Sequence, residues 1–138
     1  MKYFISLISL LIIFGCSETP NDIPMGSYPG VEAIVFFSVH MSHQIELENF
    51  DPDSDFLDIA GDFNEWDGTN DHLIAADDNV YEISFTNFEV GEVIEFKFRI
   101  NGAWDDLTEF PGAGPNRSYT VKQGENILVY WYNDDDGS

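Results

Sequence analysis

The sequence predicts an all-β sandwich, and three observations carry that prediction. Apolar residues recur with period two in several short runs. Those runs are rich in β-branched and aromatic residues, and Gly, Pro, Asn and Asp cluster between them. No stretch keeps a helical period of 3.6. The patterned region, residues 31–132, has the length usual for an immunoglobulin-like β-sandwich folded as a single domain.

The runs follow in chain order. "VEAIVFFSVHM" places Val35, Phe37, Val39 and Met41 on one face, and "FLDIA" is a short apolar strand. "VYEISF" aligns Tyr81, Ile83 and Phe85. "VIEFKFRING" points Ile94, Phe96, Phe98 and Ile100 inward and Glu95, Lys97, Arg99 and Asn101 outward. "NILVYWY" is β-rich on both faces, and Trp131, inside that run, reads as a structural residue. The closing residues 133–138, "NDDDGS", read as an acidic solvated tail.

Ahead of the sandwich, Lys2 precedes an uncharged apolar run, residues 3–14, that is too short to span a bilayer and fits the core of a secretory signal. The segment closes on "IFGC", with the only cysteine, Cys16, after a glycine. This resembles the bacterial lipobox, in which that cysteine receives lipid; Phe14 stands where a smaller residue is commoner. The resemblance implies a signal peptide over residues 1–15, lipid attachment at Cys16, and a Pro/Ser/Asn-rich flexible tether over residues 16–30. The alternative is an ordinary signal whose cysteine is incidental. Glu18 resembles the surface-export signals of Bacteroidetes lipoproteins, which implies an outer-membrane, cell-surface location. A single cysteine also leaves no internal disulfide, so the fold must rest on its core.

The chain carries 26 acidic residues against five Lys and Arg, a formal charge of −21. Loss of the leader would take Lys2 and leave only Lys97, Arg99, Arg117 and Lys122. That balance excludes nucleic acid as a partner, since phosphates need basic surface, and excludes docking on anionic lipid, so the membrane contact expected is the N-terminal lipid alone. It favours a neutral ligand or a cation.

Catalysis has little to build on. The histidines are His40, His43 and His72, and neither a Gly-x-Ser-x-Gly elbow nor a His-Glu-x-x-His motif is present, so no catalytic residue is assigned and the chain is not expected to be an enzyme. "DPDSDFLDIAGD" has acids at the first, third, fifth and twelfth places of a calcium loop, but Phe56 occupies the sixth, where the sharp turn needs glycine. It reads as a turn running into a strand, with no metal and no cofactor expected.

The aromatic residues say more. Trp66 in "AGDFNEWDGTND" and Trp104 in "NGAWDD" sit in polar turns at strand ends. A pyranose presents a face of C–H groups that packs on a flat π-system, and rings on loops above a rigid sandwich supply it.

"IAGDFNEWDG", then "FKFRINGAWDD", then "PNRSYTV" resembles the glycogen- and starch-binding modules of carbohydrate-binding family 48, which include the glycogen-binding domain of AMP-activated protein kinase. The motif positions are Gly61, Phe63, Asn64 and Trp66, then Lys97, Phe98, Gly102 and Trp104, then Asn116. The resemblance implies a small immunoglobulin-like sandwich of the early-set kind that binds α-glucan without cleaving it. It implies Trp66 and Trp104 as stacking platforms, Lys97 and Asn116 as hydrogen-bonding partners of the hydroxyls, and Phe63 as a core residue that fixes the turn. Arg117 would brace the loop beside Asn116. The loop "DLTEFPGAGP", residues 106–115, departs from the pattern. A surface glycan-uptake protein or a glycoside hydrolase is the partner such a module would serve. Three other readings stay open: another neutral polysaccharide, a member that has lost binding, and a structural subunit of an outer-membrane uptake complex.

Overall fold

The computed structural model of the chain describes residues 33–111 and 114–138. The expected signal peptide, tether and Cys16 lie outside the described residues.

Seven strands form two sheets. They are β1 (Ala33–His40), β2 (Leu57–Gly61), β3 (Ile74–Ala75), β4 (Val80–Phe88), β5 (Val93–Ile100), β6 (Arg117–Thr120) and β7 (Glu125–Trp131). One sheet has the order β3-β4-β1-β7 and the other β2-β5-β6. The first is mixed, because β1 runs antiparallel to β4 but parallel to β7; the second is antiparallel throughout.

The period-two pattern is why these segments become strands. Val35, Phe37 and Val39 of β1 are buried together with Ile94, Phe96, Phe98 and Ile100 of β5, so the two sheets share one core. The Phe37 ring meets Phe96 edge-on at 5.0 Å and Phe98 at 6.3 Å, which fastens the sheets face to face. In β4 the expected inward face is less complete: Tyr81 is buried, while Ile83 and Phe85 are half-buried.

Four expectations need correction. "SHQIE" forms a short helix, α1 (Ser42–Glu46), in a chain read as having none; its five residues are too few to show a period. The acidic tail is docked rather than simply solvated: the Phe110 N–H donates to Asn133 Oδ1 at 2.7 Å, and Asp134 pairs with Arg117 at 2.7 Å. Trp131 is not in the core. It lies on the outer face of β7, 38 % exposed, stacked on His40 with centroids 4.1 Å apart. Lys97 and Arg99 do lie on the face of β5 away from the core, yet both are buried, because loops roof that face.

Residues 51–55 close on themselves, with the Asp53 N–H donating to Asp51 Oδ1 at 3.0 Å and the Asp51 N–H to Asp55 Oδ2 at 2.8 Å. The chain then enters β2, as a turn running into a strand should.

Candidate functional site

The corner after β2 presents Trp66. At Gly61 a Cβ would lie 2.6 Å from the Glu95 carbonyl oxygen and 2.6 Å from the Phe63 ring, so only glycine fits. Phe63 turns back into the core, edge-on to Phe88 at 5.2 Å. Asn64 ties the turn: its Oδ1 accepts from the Gly61 N–H at 2.8 Å, and its Nδ2 donates to the Ile59 carbonyl at 2.9 Å and to Asp71 at 2.7 Å. Glu65 and Trp66 both take left-handed backbone, φ 56° and 63°. For a bulky residue this costs about 1–3 kcal/mol and is kept only where the surroundings over-determine it, as the Trp66 N–H bond to the Gly61 carbonyl at 2.7 Å does here.

The second tryptophan follows β5 through a turn with Asn101 and Gly102 at φ 54° and 67°. Trp104 is 56 % exposed, and its ring rests on the Arg99 guanidinium at 4.4 Å. Arg99 is fixed in turn by Asp58, its cross-strand partner: Nε donates to Oδ1 at 2.9 Å and Nη2 to Oδ2 at 2.7 Å. The ring is thus propped from below by a buried, forked ion pair. The centroids of Trp66 and Trp104 lie 6.2 Å apart, with planes inclined at 55°.

Trp66, Lys97, Trp104 and Asn116 come together, with Thr108 and Gly114, around one open depression of about 420 Å³. Asn116 is exposed there. Lys97 is placed differently from the exposed donor expected. Its Nζ donates to the carbonyls of Glu109 at 3.1 Å, Phe110 at 2.9 Å and Gly114 at 3.1 Å, and an ammonium has only three protons. In this arrangement Lys97 holds the loop that edges the depression.

The far end of that loop is pinned by Glu109 and Arg117. Glu109 is fully buried; its Oε1 accepts from Arg117 Nε at 2.9 Å and the Asn133 N–H at 3.2 Å, and its Oε2 from the Phe98 N–H at 3.2 Å. Burial pushes the Glu109 carboxyl up, against the pull of Arg117 and the two backbone donors. Arg117 also reaches the Trp131 carbonyl at 3.0 Å, so it braces both the loop and the tail.

Sequence reasoning did not single out Asp58, Thr108 or Glu109. A signal existed for the first: a carboxylate inside the apolar "FLDIA" needs a buried partner, and "FKFR" offers two cations, Lys97 and Arg99, of which Arg99 is the one paired with it. No protein-family model matches this chain, and no curated protein matches its sequence.

Proposed function

We propose that this chain is a non-catalytic α-glucan-binding module, an immunoglobulin-like sandwich of the early-set kind, carried on a lipid-anchored protein at the outer-membrane surface. The observation that supports it most is the tryptophan pair, the exposed Trp104 and the half-buried Trp66, inclined at 55° over a depression with polar lining. Sugar C–H faces stack on such rings. Inclined platforms suit a chain that curves from one residue to the next, as an α-1,4-linked glucan does, better than a flat ribbon. Asn116 supplies an amide for hydroxyls, and Lys97 contributes by holding the loop edge. The motif resemblance points the same way.

Few hydrogen bonds and two stacking contacts give a dissociation constant on the order of micromolar to millimolar. Isothermal titration with maltoheptaose and with glycogen tests the reading. Heat from the wild type, and at least about a tenfold loss in Trp66→Ala and Trp104→Ala, is expected. No heat from the wild type, or unchanged affinity in both variants, overturns it.

A second reading, a protein-interaction subunit without sugar binding, is favoured by one feature: β7 exposes Ile127 and Val129, at 68 % and 57 %, beside Trp131. A stoichiometric surface partner, combined with no glucan heat, would select it.

A further inference from the structure

The tryptophan pair has two flanks. Beyond it from the depression just described lies another of about 560 Å³, which shares both Trp66 and Trp104 and is also lined by Phe56, His72, Arg99 and Asn101. We propose that this far flank is a second sugar subsite, in which the stacked Phe56 and His72 rings receive further hexose units of the same neutral glucan chain. The proposal rests on the glucan-binding reading above and extends it to residues outside the recognised motif.

Phe56 and His72 stack with centroids 4.2 Å apart and planes within 15°. Phe56 is 37 % exposed and takes no part in the core cluster, so core packing does not explain a phenylalanine here. It is nevertheless held firmly. Its N–H donates to Asn101 Oδ1 at 3.1 Å, its carbonyl accepts from the Asn101 N–H at 2.9 Å, and Asn101 Nδ2 is anchored on Asp55 at 2.8 Å. The His72 backbone bridges Asp58, the residue that fixes Arg99 beneath Trp104. Both aromatic walls therefore hang from one scaffold and lose little freedom when a ligand arrives.

The chemistry of the flank fits a hydroxyl-rich neutral ligand. No hydrogen bond among the described residues engages the His72 ring nitrogens, which can donate to and accept from hydroxyls. Asp67 at the rim and the charge of −21 disfavour an anion. The polar half of the lining disfavours a purely apolar partner. A chain long enough to cross the tryptophan ridge would meet aromatic faces on both sides, while a short oligomer occupies one flank.

Titration calorimetry with maltotriose and maltoheptaose, on the wild type, His72→Ala and Phe56→Ala, tests this. The wild type should prefer the heptaose. Each variant should lose about three- to tenfold in heptaose affinity while binding maltotriose as the wild type does. His72 is exposed, so its variant keeps the test valid should Phe56→Ala disturb the Asn101 turn, which a thermal melt reports. Heptaose affinity unchanged in the folded variants, or an equal loss for both sugars, overturns the subsite alone. A wild type silent toward both sugars overturns the glucan reading and the subsite with it.

Discussion

The two sheets turn opposite characters outward. The outer face of β2-β5-β6 carries Asp58, Lys97 and Arg99, all buried under loops that also bring two tryptophans to the surface. The outer face of β3-β4-β1-β7 carries Ile74, Ile127, Val129 and Trp131, exposed with no loop over them among the described residues. Of the four cations in residues 31–138, three are buried, Lys97 and Arg99 on the outer face of β5 and Arg117 on the inward side of β6, and each is bonded to carboxylates or carbonyls. Charge here serves rigidity: it fixes loops that hold rings. The other sheet invests nothing comparable in its outer surface. The difference separates a face built to hold a shape from one left as bare sheet.

The largest effect should come from breaking the charged scaffold. Glu109→Ala leaves Arg117 with only Asp134 and the Trp131 carbonyl and removes the acceptor of the Phe98 and Asn133 N–H groups. Losing one partner of a buried pair costs about 3–5 kcal/mol, enough to unfold a marginal domain. Chemical denaturation should show it as a fall in midpoint; a variant as stable as the wild type would mean the pair is ornamental.

Next is Lys97→Met, which removes three hydrogen bonds to the loop and keeps the apolar stem. A loss of about 1–3 kcal/mol is expected, with faster hydrogen exchange confined to residues around 109–114. Glucan affinity should fall together with loop protection. Loss of affinity with exchange unchanged would instead make Lys97 a direct sugar contact that changes partners on binding.

The fold class and the rings were legible because each rests on a local signal. Period two marks β1 and β5, and Asn64 ties its own corner through bonds to Gly61 and Ile59, within a few residues. What stayed hidden is non-local. Lys97 reads as an outward residue, since alternation fixes which side of a sheet a side chain takes but not whether a loop returns to cover it. The loop that does so departs from the recognised pattern. The tail was misread for the same reason: its partners, Arg117 and Phe110, are distant in sequence.

A pH series sharpens the comparison further. A carboxyl whose folded value is raised stabilises the fold below the ordinary carboxylate range, and that contribution is lost as pH rises through the raised value. Glu109 is such a group, so its share of stability should decline from mild acid toward neutrality. Asp55 works in the opposite sense. The hydrogen bond from Asn101 lowers its carboxyl, so its contribution is present above the ordinary range and lost as pH falls through the lowered value. Melting temperatures for the wild type and Glu109→Gln between pH 4 and pH 8 should differ in slope, with the variant flatter. Parallel curves would remove Glu109 from the account.

The smallest effect is expected on the bare sheet, and it is the one that decides what that sheet is for. Ile127→Thr keeps a β-branched residue in β7 and removes only exposed apolar surface, so stability should move by no more than about 0.5 kcal/mol and glucan heat not at all. A larger loss would mean that Ile127 is covered in solution. Covering by a second copy would make the wild-type melting temperature rise with protein concentration, and the substitution would abolish that rise. A flat concentration series with unchanged stability would leave the strip outside both the fold's energetics and the proposed sugar site, the condition in which a separate surface partner can use it without competing for the tryptophans.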